Sequence, residues 1–145
     1  FKISKLGKQI MIKKIEHIAI AVDDAKESID IFNKLLGFAS YKSEKVTSEG
    51  VNTYFYQLGK TKIELLEAID NKSPIKKFIS KNGPGLHHIA LKVDDIKFEL
   101  KRLVDLGFEK IGNKKKGADE QLICFLHPKS TNGVLIELCQ DLDKN

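Results

Sequence analysis

Arginine is almost missing from this basic chain. Arg102 is the single arginine among 25 basic residues, in a sequence of 145 with a formal net charge of +5. Planar guanidinium forks that grip carboxylates at two points are therefore scarce. The positive excess comes from lysine, and a basic surface suits an anionic partner. Base-readout and aromatic-stacking motifs are absent, so nucleic acid is unsupported and a phosphate-bearing small molecule fits as well. Cysteine is also sparse. Cys124 and Cys139 are too few and too far apart for a disulfide framework or a zinc knuckle. Both sit in apolar runs and are expected to be buried, reduced thiols, which fits a cytoplasmic protein. No apolar run approaches the roughly 18 residues of a membrane span. Residues 1–10 lack an apolar core and a small-residue cleavage site, so they do not read as a signal peptide. Met11 is the expected natural start, with residues 1–10 a leader or remnant. No Walker A loop, GxGxxG motif or Ser-His-Asp arrangement is present.

What the chain does have is a stretch written twice. Residues 15–24 read Ile-Glu-His-Ile-Ala-Ile-Ala-Val-Asp-Asp, and residues 86–95 read Leu-His-His-Ile-Ala-Leu-Lys-Val-Asp-Asp. His17 falls on His88, Ala19 on Ala90, and Val22 on Val93. Each copy alternates with period 2, as a half-buried strand does, and ends in acidic residues that can cap a helix. Ile18, Ile20 and Val22 share the face expected to meet helices. His17, Ala19 and Ala21 share a small, open face suited to a cavity floor.

The rest of each copy follows one plan. Ile29, Phe32 and Leu36 recur at helical spacing over Ala25–Leu36, and Gly37 ends that helix. Residues 40–50 are mostly polar and are expected to turn within a strand pair. Strands at Thr53–Leu58 and Lys62–Leu66 flank a Gly-containing hairpin. Ser73 and Pro74 start a short helix through Ile79. Asn82-Gly83-Pro84-Gly85 separates the halves. In the second half, strand Leu86–Val93 leads to a helix over Ile96–Leu106. Residues 112–119, with three lysines in a row, read as a solvated turn. Strands at Gln121–Leu126 and Val134–Cys139 complete the half. Each half is thus βαβββ, allowing weakly marked strands near 38–46 and 108–112. The fold class is α+β, two tandem modules sharing one curved, cleft-lined mixed sheet.

The last strands of the halves also match, placing Glu64 on Glu137. A lone carboxylate among aliphatic neighbours on a buried strand is costly. Two at equivalent places, beside two equivalent histidines, suggest a purpose. Two-fold symmetry brings His17, Glu64, His88 and Glu137 towards one axis. Two imidazoles and two carboxylates suit a divalent ion such as Co²⁺, Mn²⁺, Ni²⁺ or Zn²⁺. His87 is expected on the opposite strand face in a structural role. His127, in a turn before Pro128, is a weaker candidate for ligand contact.

At these residues the sequence resembles the vicinal oxygen chelate superfamily, which includes glyoxalase I. Four runs resemble its methylmalonyl-CoA epimerase family more closely: residues 17–22, residues 59–66, residues 85–90, and His127-Pro128-Lys129-Ser130 with residues 133–138. The resemblance spans about residues 12–140, as modules 12–82 and 85–140 with a tail at 141–145. It implies that His17, Glu64, His88 and Glu137 bind one divalent ion, Co²⁺ first among the choices. It implies interconversion of (R)- and (S)-methylmalonyl-CoA by removal and return of the α-proton through an enolate. Glu137 is the leading base candidate. Some relatives place a proton-transfer Glu where this chain has Thr53, which leaves Glu49, Glu137 or a metal-bound water for one transfer. Lys129 and Ser130 are candidate contacts for CoA, and a homodimer with no membrane partner is implied. The alternatives are a glyoxalase I-type lactoylglutathione lyase, disfavoured by the scarcity of arginine, and a metal-free binding protein of the same fold, disfavoured by the four ligand-type residues.

Overall fold

The computed structural model describes residues 12–142. The expected leader and most of the expected tail lie outside the described residues. Eight strands and three helices run in the order β1 (Ile12–Val22), α1 (Ala25–Leu36), β2 (Lys42–Val46), β3 (Val51–Leu58), β4 (Thr61–Ala68), α2 (Pro74–Asn82), β5 (Gly85–Val93), α3 (Ile96–Asp105), β6 (Lys110–Lys116), β7 (Gln121–Leu126) and β8 (Ile136–Asp141). All eight strands form one mixed sheet in the order β2-β3-β4-β1-β5-β8-β7-β6. Each half is βαβββ, and α2 links them.

The halves meet at β1 and β5, which pair antiparallel at the sheet centre. Each is flanked by the last strand of its own module in parallel, β4 beside β1 and β8 beside β5. This arrangement is two-fold about the β1–β5 seam. It sets Ala19 opposite Glu64 and Ala90 opposite Glu137.

Capping fixes the helices as the residue order suggests. Asp24 Oδ1 accepts from Glu27 N at the start of α1, and Gly37 closes it at φ 81°, a left-handed conformation that favours glycine. Asp95 caps α3 through Phe98 N, and Ser73 caps α2 through Ile75 N ahead of Pro74. Helix α1 lays Ile29, Phe32 and Leu36 on Val22, Tyr56 and Leu65. Helix α3 lays Ile96, Leu100 and Leu103 on Val93, Cys124 and Leu138. Both helices cover the outer sheet face, which leaves the inner face to build a cleft.

Two expectations are corrected by the strands. The weakly marked strand expected near 108–112 is β6, and it runs on through Lys116, so residues 113–116 are strand and not a solvated turn. Its side chains are all exposed because β6 is an edge, where outward lysines deter pairing with another chain. The Ala19 and Ala21 face is not an open floor. Both alanines are fully buried, in one apolar cluster with Leu66, Val46, Val51 and Ile75 of α2. Helix α2 therefore closes that end of the cleft.

The two sheet edges also touch. The turn between β6 and β7 reaches β2 and β4, where Asp119 pairs with Lys42 and Lys62 and its backbone N–H donates to Glu44 Oε1 at 2.9 Å. Ser48 Oγ donates to Lys116 O at 3.1 Å, and Lys115 pairs with Glu49 at 2.8 Å. These contacts curl the sheet into a half-barrel with its cleft inside.

Candidate metal centre

His17 on β1, His88 on β5 and Glu137 on β8 are all at least nine-tenths buried and meet on the cleft wall. His17 Nε2 lies 3.2 Å from His88 Nε2. Glu137 Oε1 lies 2.9 Å from His88 Nε2 and 3.6 Å from His17 Nε2. Neighbouring ligands on an ion with bonds of roughly 2.0–2.2 Å stand about 3 Å apart. The three donor atoms meet that spacing, so the residues fit a divalent transition ion.

Glu64, the fourth expected ligand, is equally buried but approaches His17 from the other side. Its Oε2 lies 3.1 Å from His17 Nδ1. Glu16 shares that side, with its Oε1 accepting from His17 Nδ1 at 2.8 Å. Glu16, His17 and Glu64 thus form a second close group of donor atoms behind the first.

The charges reflect this crowding. Burial opposes the imidazolium of His17, but Glu64, then Glu137 and Glu16, outweigh it and push its pKa up to about 10. Burial alone would raise Glu137, yet hydrogen bonds from His17 and His88 bring it down to about 2. Glu64 is pushed up to about 7 by burial, against the pull of His17 and Lys62.

The centre opens into a cavity of about 260 Å³ walled mostly by Val46, Val51, Leu66, Ile75, Ile123 and Phe125, with Thr53 and Glu49 on the same wall. Glu49 sits in a 3-10 turn, Thr47–Glu49, between β2 and β3. Its Oε2 is held by Lys115, and its buried Oε1 has no hydrogen-bond partner among the described residues. A carboxylate oxygen left unpaired in an apolar wall is costly and calls for an explanation. Thr53 is buried in the same wall and carries no titratable group.

Other expectations fall differently. His87 does not face away. It lines the cavity, its Nδ1 lies 2.9 Å from His88 Nδ1, and Phe78 of α2 packs edge-on against its ring at 4.8 Å. The physical reason is a bulge in β5, which breaks the alternation of faces at that residue. Lys129 and Ser130 lie in a 3-10 turn, Pro128–Ser130, outside the cavity lining. Lys129 is exposed, and Ser130 Oγ donates to His127 O and accepts from Glu109 N. His127 caps that turn, its Nδ1 accepting from Lys129 N at 3.1 Å. Both cysteines are free and buried, and burial first, with Glu137 next, pushes the Cys139 thiol up. No helix among the described residues is long and apolar enough to cross a membrane.

A paired βαβββ half-barrel with His and Glu donors at its seam defines a class of protein, and comparison with known proteins agrees. Residues 16–125 match the Glyoxalase/Bleomycin resistance protein/Dioxygenase superfamily. The chain belongs to that superfamily and, within it, to the methylmalonyl-CoA epimerase family. It is 42% identical to the mitochondrial methylmalonyl-CoA epimerase of Dictyostelium discoideum, over 94% of this chain and 84% of the relative. It is 38% identical to the ethylmalonyl-CoA/methylmalonyl-CoA epimerase of Cereibacter sphaeroides, over 90% of this chain and 99% of the relative. Among solved structures it resembles a Streptomyces coelicolor methylmalonyl-CoA epimerase variant in complex with 2-nitronate-propionyl-CoA. That match has a TM-score of 0.86 and 29% identity, and it covers 90% of this chain and 96% of the other.

Proposed function

We propose that this chain interconverts the epimers of methylmalonyl-CoA with one divalent ion held by His17, His88 and Glu137, which Glu64 would join only by turning from the Nδ1 side of His17, and with Glu49 as a proton-transfer group. Co²⁺ is the first candidate, with Mn²⁺, Ni²⁺ and Zn²⁺ as alternatives. The observation that carries this reading is the unpaired Oε1 of Glu49, set in the same cavity as three converging metal-type donors. A bound ion would supply Lewis acidity to the thioester oxygen and the carboxylate, making the carbon between them more acidic.

The chain's own groups do the rest. The apolar wall takes the methyl branch and keeps water from the reacting carbon. Glu49 removes or returns the α-proton through its free oxygen, while Lys115 holds the other oxygen and fixes the carboxylate's direction. Glu137 is the candidate for the opposite face, because its buried carboxylate borders the same cavity. The cavity has room for a short branched acyl group but not for CoA. Lys115 on its wall and Lys129 with Ser130 in the β7–β8 turn are the candidate contacts for the CoA tail. The buried free thiols suit a cytoplasmic setting, and a homodimer is the proposed assembly.

The test is proton exchange on methylmalonyl-CoA in D₂O with Co²⁺ added. Deuterium enters the α-position if the reading holds. No incorporation, with turnover of the methylglyoxal–glutathione adduct instead, would move the chain to the lyase reading.

A further inference from the structure

Along an ordinary strand, the residue before an inward-facing histidine points to the opposite face. Neither central strand obeys this beside its histidine. In β1, Ile15 is opposite Leu91 and His17 is opposite Ala90, so Glu16 is an extra residue with no partner. In β5, His88 is opposite Ala19 and Leu86 is opposite Ile20, so His87 is extra in the same way. These are matching β-bulges at equivalent places in the two halves, and bulges re-aim side chains. Each brings the preceding side chain onto the Nδ1 edge of its histidine, at 2.8 Å for Glu16 and 2.9 Å for His87.

We infer that Glu16 and His87 are the positioning residues of the metal centre, each holding the Nδ1 of the next histidine so that both Nε2 atoms face the shared point. A metal-binding imidazole commonly gives its second ring N–H to such a partner, which fixes the ring and its tautomer. The inference rests on the proposed ligand set. Both holders are themselves held. Lys62 Nζ on β4 lies 3.0 Å from Glu16 Oε1, and Asp119 of the β6–β7 turn anchors Lys62 from the other module. Phe78 packs against His87. The repeat is therefore conserved in geometry but not in chemistry. One ring is backed by a carboxylate with its own cation, the other by a second imidazole. His17 is the more basic donor of the two, because a carboxylate hydrogen bond strengthens electron donation from the opposite nitrogen.

The test uses E16Q, E16A and H87A in the full chain with two readouts. The first is Co²⁺ affinity by calorimetry. The second, on metal-free protein, is the Nδ1–H resonance of His17 or His88 by ¹⁵N-edited NMR. E16A and H87A are expected to weaken Co²⁺ binding by roughly 10–100-fold. E16Q keeps an acceptor of the same shape and is expected to lose only a few-fold, with the His17 Nδ1–H resonance moved upfield. An E16A affinity within twofold of wild type, or an E16Q resonance that does not move, would overturn the inference for His17. The same affinity result for H87A would overturn it for His88. If E16A does not fold, the E16Q resonance decides. A wild-type chain that binds no divalent ion would sink the proposed ligand set, and the metal-free NMR readout would still decide the positioning role.

Discussion

Glu49 and Glu137 are both carboxylates lining one cavity, but their surroundings differ. Glu137 is engaged through Oε1 by two imidazoles, whereas Glu49 has a free oxygen and a lysine behind it. Glu49→Gln is expected to lower turnover by roughly 10²–10⁴-fold, the usual contribution of a positioned acid or base, with Co²⁺ affinity unchanged. Glu137→Gln is expected to lower Co²⁺ affinity as well as turnover. Calorimetry beside a turnover assay separates the two; unchanged turnover in Glu49→Gln would hand its role to another group. The residues that touch the donor triangle were legible in the sequence because the repeat doubled them. His17 and His88, Glu64 and Glu137 are each unremarkable singly and informative as pairs. The position of Glu64 behind the His17 ring was not legible, since strand alternation says which face a side chain takes but not which edge of a neighbour it meets. Glu49 was legible only as one option, because the free Oε1 is a product of packing.

At the scale of elements, the sequence conveyed the helices and six of the strands within a few residues. The other two, β2 and β6, were only weakly marked; the bulges and the full length of β6 escaped it for one reason: pairing partners decide them. Bulges at Glu16 and His87 are register irregularities between distant strands, invisible in either strand alone. The lysine strand β6 has no apolar alternation because its side chains are all exposed at an edge. Its turn closes the half-barrel through Asp119, whose pKa is lowered because the Lys42 and Lys62 ion pairs outweigh burial. A carboxylate with a lowered folded-state pKa stabilises the fold above its ordinary value, and the gain is lost as pH falls through the folded pKa. Wild type is therefore expected to be more stable than Asp119→Asn at pH 6–7. That gap should shrink as pH drops below the ordinary aspartate value of 3.8. Urea midpoints of the metal-free proteins across this range check it; a gap independent of pH would mean that the ion pairs contribute nothing.

For the whole molecule, the important fact is that the donors come from both halves. His17 lies on one side of the β1–β5 seam, and His88 and Glu137 lie on the other. An ion at the seam would bridge the modules and bind only the folded chain. Ligand that binds the native state alone stabilises it by RT ln(1 + [L]/Kd), or about 2.7 kcal/mol at one hundred times Kd. Co²⁺ is therefore expected to raise the melting temperature of the wild-type chain, and EDTA to reverse the rise. His17→Ala and His88→Ala, one from each module, should each abolish most of the shift. The effect also has a pH sign. The carboxylates around His17 push its pKa up to about 10, so an ion must displace a proton to bind there. Apparent Co²⁺ affinity should accordingly climb between pH 6 and pH 9, with proton release visible as a dependence of calorimetric heat on buffer ionisation enthalpy. An affinity flat across that range would mean that binding of the ion displaces no proton from His17.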